Sequence, residues 1–367
     1  MPQQYSQLRA MLAVSKASFR AIFRSPSAVT FSFGFPLIFI LVFGFIGGGG
    51  VSVDIGMQRL ADTNNYAILA LLRNPLVHLV QKDSVELRRD LEKGRIAAII
   101  SIDSVKTPTG YWQYQITPLT SSASGSQYPI LRSFLAESIQ RVVQNSRAAD
   151  FAPFVIHEKA PIPGRKYTLI DFILPGMLGF SLLSAGIFGV AFLFFNLRQM
   201  LVLKRFYATP ISRKYIVLGE GLSRVCFQLL TAIVIIVGGH FVFKFTLIHG
   251  IQTFLEMMIL SFFGLVIFMG FGFIVSSVAK NESSIPPFAN LVTLPQFLLG
   301  GTFFSTTAFP VWLQKFCEIL PLKQLNDAMR NVAFEGAHLS GCLKQLGILA
   351  VWGIVVYAVA IKVFKWE

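Results

Sequence analysis

Long uncharged apolar stretches dominate this chain and alternate with short polar segments. A helix that crosses a bilayer needs about 20 apolar residues, and six intervals between successive ionised side chains approach or exceed that length. They lie between Arg24 and Asp54, Asp171 and Arg198, Arg224 and Lys244, Glu256 and Lys280, Glu282 and Lys315, and Lys344 and Lys362. The pattern predicts a membrane protein with an all-α bundle of six transmembrane helices, the first at residues 27–50 and the others within 167–367.

An amphipathic pattern precedes the first apolar interval. Residues 5–24 place most of their large apolar side chains on one helical stripe, whereas Arg9, Lys16, Arg20 and Arg24 lie elsewhere. We predict a cytoplasmic amphipathic helix over residues 1–26 that lies at the membrane surface. The alternative is a solvated start of the first span.

Residues 51–166 are polar, alternate in hydropathy and contain turn residues. This pattern is typical of a compact αβ domain, which we expect between spans one and two. The predicted strands are 50–57, 95–102 and 111–117, and the predicted helices are 84–93 and 130–145. His78 and His157 lack a third ligand at metal spacing, so no metal site is predicted.

Composition supports the membrane assignment, and charge placement orients the chain. Hydrophobic residues make up 54% of the chain and charged residues 14%, whereas soluble domains carry about 25% charge. The net charge of +14 comes largely from cations in short segments beside apolar runs, which argues against a nucleic-acid partner. Residues 1–27 and 196–214 contain cations and no acid, so both should be cytoplasmic. Six spans then place both termini in the cytoplasm and 51–166 outside, in a multi-pass protein of the cell membrane, or of the inner membrane in a Gram-negative host.

Signatures of catalysis are missing from the sequence. It contains no GxxxxGK[ST] phosphate loop, no GxSxG elbow and no HExxH pair, so we expect no catalytic residues and no nucleotide site in this chain. Cys317 and Cys342 could form a disulfide only on an oxidising face. Glu220 and Arg224 are four residues apart, a spacing that predicts a structural ion pair near the inner end of the third span.

Two segments outside the spans carry unusual patterns. Residues 197–214 have the pattern of a helix stopped before Pro210 and restarted at Ser212, which predicts a short, basic cytoplasmic elbow suited to docking. Residues 299–330 contain Pro310 and Pro321, which break a continuous helix and predict a re-entrant hairpin at the outer face over about residues 300–330.

These two segments resemble the ABC-2-type permease family, the membrane subunits of ATP-driven exporters of the type V architecture. The matching motifs are LKRFYATPISR at 203–213 and GTFF, PVWLQ, LPL and DAMR within 301–330. The strand, helix, glycine and strand pattern around Gly94 is similar to the subgroup with a large extracellular αβ insert after the first span.

The resemblance implies a permease subunit driven by a separate ATPase subunit, which would bind the ATP and magnesium, and a second permease copy or a related permease as partner. It assigns coupling to the ATPase to Leu203, Lys204, Arg205, Phe206, Thr209, Pro210 and Arg213. It assigns the family signature near the fifth span to Gly301, Thr302, Phe303, Phe304, Pro310, Trp312, Pro321, Asp327 and Arg330.

The apolar, aromatic-rich spans favour a lipid, a drug-like amphiphile or a hydrophobic peptide as the exported substrate, with membrane lipid in contact with the bundle. Two alternatives are an ion-coupled secondary carrier and a non-transport membrane scaffold that presents the outer domain. The carrier predicts buried acidic or histidine groups near mid-membrane and a repeat between the two halves. Neither feature is visible in the sequence.

Overall fold

A computed structural model describes residues 6–24, 30–46, 53–58, 66–106, 112–124, 127–145, 154–165, 167–199, 211–306 and 309–363. The chain divides into two compact units. The α/β unit is Gly48–Thr168, and the helical unit combines Met1–Gly47 with Leu169–Glu367.

The α/β unit is built on a mixed five-stranded sheet with the strand order β2-β1-β3-β4-β5. β1 is parallel to both of its neighbours, β3 and β4 are antiparallel, and β5 is parallel to β4. The strands are β1 (Val53–Met57), β2 (Val77–Val80), β3 (Ala98–Lys106), β4 (Trp112–Leu119) and β5 (Phe154–Ile156). The helices are α3 (Tyr66–Leu72), α4 (Ser84–Glu92) and α5 (Tyr128–Asn145).

Alternation along β3 gives this sheet two buried faces. Ala98 and Ile100 belong to the larger apolar core, which also contains side chains of α3 and α5. Ile99 points the other way and packs with Leu87 of α4. Because successive strand residues face opposite sides of a sheet, one uninterrupted apolar run serves both layers.

Asp90 of α4 is a buried carboxylate that holds two cations. Its oxygens lie 2.6 Å from Lys82 Nζ and 3.4 Å from Arg95 Nη1, and the Asp90 side chain is 8% exposed.

The end of α4 also binds the segment that leaves the unit, because Arg165 N–H donates to Glu92 O and Tyr167 N–H donates to Lys93 O. These contacts tie the last residues of the unit to its middle.

The helical unit packs around a single large cluster of buried apolar side chains. Its helices are α1 (Gln7–Arg24), α2 (Phe35–Ile46), α6 (Leu169–Ser184), α7 (Val190–Gln199), α8 (Arg213–Phe243), α9 (Ile251–Val278), α10 (Ile285–Leu299), α11 (Val311–Cys317), α12 (Pro321–Arg330) and α13 (Leu343–Val363). A π-helical turn, Ala185–Gly189, joins α6 and α7 into one continuous helix.

Four helices of the described part are long and apolar enough to cross a membrane. They are Leu169–Gln199, Lys214–Phe243, Ile251–Val278 and Leu339–Val363. The other two predicted spans correspond to shorter helices, α2 and α10. α10 has 15 residues, about 22 Å of helix, because the chain turns at Gly300 although the uncharged interval continues to Lys315. Residues 311–330 form two short helices, α11 and α12.

The cation-binding role of Asp90 predicts that Asp90→Asn destabilises the α/β unit. Loss of the charge removes the buried anion that pairs with Lys82 and Arg95, at an expected cost of about 1–2 kcal/mol. Hydrogen exchange of the α4 and β3 amides in the full chain measures this effect. The matched control is Glu137→Gln, which removes a carboxylate from an exposed pair with Arg141 and should change stability by less than about 0.5 kcal/mol. Equal effects of the two substitutions would contradict the role assigned to Asp90.

Candidate functional site

The helical unit has two ends that carry different polar contacts. We call one the α1 end; it contains α1, the end of α7, the start of α8 and the end of α9. The opposite end contains the start of α6, the turn after α10 and the end of α12. The described ends of the predicted coupling elbow, at Arg198 and Ser212, lie at the α1 end, and Arg330 of the family signature lies at the opposite end.

Most predicted coupling residues lie outside the described part of the chain. These are Leu203, Lys204, Arg205, Phe206, Thr209 and Pro210. Arg213 is the first residue of α8. The structure does describe what happens on either side of residues 200–210, and both flanks are bonded to other elements.

Arg198 holds the flank that precedes residues 200–210. Its Nη2 atom donates to Ser276 O at 3.2 Å and to Ala279 O at 3.1 Å, both at the end of α9. Its guanidinium also lies 5.5 Å from the centre of the Phe195 ring. The carbonyl groups of a last helical turn lack helical partners, so one arginine joins the ends of α7 and α9.

Gln7 holds the flank that follows residues 200–210. Ser212 N–H, just ahead of α8, donates to Gln7 Oε1 at 3.0 Å. The residues before 200–210 are therefore bonded to α9, and those after 200–210 are bonded to α1.

α1 packs closely along α8. At Gly219 a Cβ atom would lie 2.7 Å from Met11 O, so the close approach of the two backbones requires a glycine. The Ser18 hydroxyl donates to Glu220 Oε1 at 2.6 Å, and the Phe23 and Phe227 rings meet edge to face at 5.2 Å. Much of the predicted apolar stripe of α1 faces elsewhere: Leu8 and Leu12 are 60% and 54% exposed.

The predicted Glu220–Arg224 ion pair is not formed at contact distance. Both residues are described, and no charged atoms of the pair lie within 4 Å of each other. Glu220 instead accepts the Ser18 hydrogen bond from α1. The two charges still act on each other at the longer distance, and a neighbouring helix gives Glu220 a second partner.

Arg330 organises the signature segment at the opposite end. Its Nε and Nη2 atoms donate to Phe172 O at 3.1 and 2.9 Å, and Nη2 also donates to Gly301 O at 2.5 Å. The guanidinium stacks 3.7 Å from the Phe172 ring centre, and Asp327 Oδ1 lies 3.7 Å from Nη1. One side chain thus connects α12 to the start of α6 and to the turn after α10.

Glycines of α6 allow this turn and α12 to approach. A Cβ atom at Gly176 would lie 2.6 Å from Thr302 O, and one at Gly179 would lie 2.2 Å from Asn326 Oδ1. Gly301 adopts a φ of 66°, a left-handed conformation that favours glycine. Asn326 Nδ2 donates to Gly300 O at 2.9 Å, which adds a second bond between α12 and the turn.

The other signature residues divide into buried and exposed groups. Thr302 is buried, Pro321 begins α12, and Asp327 pairs with Lys323. Pro310 precedes α11, whereas Phe304 and Trp312 are 69% and 72% exposed.

Phe303 belongs to a ring of aromatic side chains. This phenylalanine cluster consists of Phe35, Phe39, Phe180, Phe297 and Phe303, whose successive ring centres lie 4.2–5.6 Å apart. It joins α2, α6, α10 and the turn after α10. All five rings are partly exposed.

A separate polar cluster lies in the α/β unit. Glu158 accepts a hydrogen bond from the Tyr128 hydroxyl at 3.1 Å and pairs with Arg132 at 2.8 Å. Burial, together with this bond to the carboxylate, raises the pKa of Tyr128 to about 12. Within the described ranges, no group of three or more His, Cys, Asp or Glu residues is arranged to hold a metal ion.

Comparison with known protein families shows which family the chain belongs to. A sequence profile described as ABC-2 family transporter protein matches residues 27–362. The chain belongs to the ABC-2 family. It is therefore a multi-pass membrane protein and a permease of the ABC transporter class, as the resemblance of the two segments predicted.

One relative of this ABC-2 permease is ABC transporter G family member 20 of Dictyostelium discoideum. The two sequences are 22% identical over 98% of this chain and 51% of the relative. The permease thus spans about half the length of the curated relative that it matches.

Sequence reasoning did not identify several residues that organise the two ends. It used Arg198 only as one of the cations of residues 196–214, and it did not select Gln7, Ser18 or Asn326. Arg198 did carry a recognisable signal, because a cation that ends a long apolar helix lies where unpaired carbonyls collect.

The close approach at Gly219 predicts that Gly219→Ala separates α1 from α8. The added methyl group would meet the Met11 carbonyl, at an expected cost of about 1–3 kcal/mol. Hydrogen exchange over residues 7–24 should therefore become faster. Gly238 in the same helix provides the control, because a Cβ atom added there would have no neighbour within 4 Å. Gly238→Ala should leave exchange of α1 unchanged, and faster exchange in that variant would exclude this specific contact.

The bonds of Arg330 predict that Arg330→Lys lowers stability although the charge is kept. A single ammonium group cannot reproduce the planar donors that reach both Phe172 O and Gly301 O, so we expect a loss of about 2 kcal/mol. The measurement is the thermal unfolding midpoint in detergent, together with hydrogen exchange over 299–306. Arg88→Lys, in an exposed pair with Glu92, should have almost no effect. An Arg330→Lys midpoint equal to that of the control would refute the role.

Proposed function

We propose that this chain is the permease subunit of an ATP-driven exporter, moved by a separate ATPase subunit that docks on the elbow at 197–214. The observation that carries the proposal is the family match over residues 27–362, combined with elbow flanks that are both bonded to the bundle. The sequence contains no phosphate loop, so ATP and magnesium are assigned to the partner.

In this proposal the chain crosses the membrane six times. α2 and α10 are the short crossings beside the four long apolar helices. Both termini and the elbow lie in the cytoplasm, and the α/β unit lies outside. The cation content of residues 1–27 and 196–214 supports this orientation.

Coupling would begin with a push of the ATPase subunit on the elbow. Arg198 would transmit that movement from α7 to the end of α9, and the Ser212–Gln7 bond would transmit it to α1. Because α1 is itself packed on α8 at Gly219, the elbow and α1 would move together. The helices would then shift against those of a second permease copy or a related permease.

The substrate class follows from the surfaces that the helices offer. The phenylalanine cluster and the exposed Phe304 present aromatic rings at the end of the bundle that contains the signature. Such surfaces suit a lipid, a drug-like amphiphile or a hydrophobic peptide better than a sugar polymer.

Reconstituted flux tests the proposal. Proteoliposomes that contain the permease and its ATPase subunit should export a fluorescent lipid analogue only when ATP is supplied. Phe206→Ala combined with Arg205→Glu should abolish ATPase binding and flux, because it removes an apolar anchor and reverses a charge. The control variant, Phe241→Ala with Lys159→Glu, also removes a phenyl ring and reverses the charge of a cation, at exposed positions outside the elbow, and should retain flux.

Two outcomes would contradict the proposal. Flux that follows an ion gradient and ignores ATP would make the protein a secondary carrier. Normal ATPase binding by the elbow variant would place the docking site elsewhere.

A further inference from the structure

Arg224 of α8 has donors without acceptors. It makes no hydrogen bond and no ion pair to the residues that the structure describes, and its Nε atom is fully buried. The carboxylate one turn earlier, Glu220, is engaged by Ser18. The side chain is partly exposed as a whole, but its buried Nε–H donor has no partner, and leaving such a donor unpaired away from water is costly.

The surroundings of Arg224 do not provide a counter-charge at contact distance. Its Nη1 atom faces the π-helical turn at Gly189, where a Cβ atom would lie only 2.8 Å away. The neighbouring helix α1 packs against α8 beside this position and contributes the exposed cations Arg20 and Arg24. Glu220 is the acid whose charge acts on Arg224, and the two groups are more than 4 Å apart.

The depth of Arg224 in the membrane identifies a suitable acceptor. Nineteen residues separate Arg224 from Lys244, the next charged residue along the chain, and they correspond to about 29 Å of helix. The hydrocarbon core of a bilayer is about 30 Å thick, so Arg224 and Lys244 lie close to its two boundaries. Lipid phosphate groups are found at this level.

We propose that Arg224 binds the phosphate group of an anionic phospholipid in the leaflet at the α1 end. A planar guanidinium can donate two parallel hydrogen bonds to two phosphate oxygens, which pairs the charge and uses the terminal N–H donors of Arg224. Glycine at 189 leaves room for the guanidinium beside the π-helical turn. The site requires α8 to cross the membrane but does not require the lipid to be transported.

The test uses the full chain in nanodiscs of phosphatidylcholine, with or without phosphatidylglycerol. Native mass spectrometry counts the phosphatidylglycerol retained per chain. Arg224→Gln should lower this retention about tenfold, because the charge and the paired donors are both lost. The matched control, Arg20→Gln, removes an exposed cation of α1 and should keep the wild-type retention. Equal retention by the wild type and Arg224→Gln would overturn the proposal.

Two further measurements distinguish a lipid phosphate from free phosphate and allow for a variant that does not fold. Inorganic phosphate, added to nanodiscs of phosphatidylcholine alone, should leave the thermal unfolding midpoint unchanged, whereas phosphatidylglycerol should raise it. An equal rise with inorganic phosphate would overturn the lipid assignment in favour of a soluble anion. If Arg224→Gln does not fold, Arg224→Lys serves instead; it should retain less phosphatidylglycerol than the wild type, and undiminished retention would overturn the two-bond geometry.

Discussion

Carbonyl groups at helix ends and turns need donors, and where these groups are buried in the protein water does not supply them. In the helical unit two arginines meet this need. Arg198 binds Ser276 O and Ala279 O, and Arg330 binds Phe172 O and Gly301 O. Because the donors of a guanidinium share one plane, a single side chain fastens two elements. The elbow flank depends on the first arginine, and the signature turn depends on the second.

Glycines allow the connected elements to pack closely. Gly176 brings the signature turn against α6, and Gly219 brings α1 against α8. Direct backbone contact transmits displacement with little loss, since no flexible side chain intervenes. The bundle therefore combines rigid contacts at its two ends with the partly exposed phenylalanine cluster between α2, α6 and α10.

The local elements were largely predictable, whereas the contacts between them were not. The helix predicted at 84–93 is observed at Ser84–Glu92, and the strand predicted at 95–102 lies at Ala98–Lys106. β2 and β5 were missed because strands of four and three residues carry little periodicity. The length of the uncharged interval overestimated the length of α10, because the chain turns at Gly300. The Ser18–Glu220 bond joins residues 202 positions apart, and no local pattern encodes it.

The order of strands in the α/β unit determines when that unit can be completed during synthesis. β1 comes first in the chain but lies between β2 and β3, so it must wait for both partners to emerge. The final bonds, from Arg165 and Tyr167 to the end of α4, use residues immediately ahead of Leu169. The unit can therefore acquire its full set of native contacts only after nearly all of its own sequence has been synthesised.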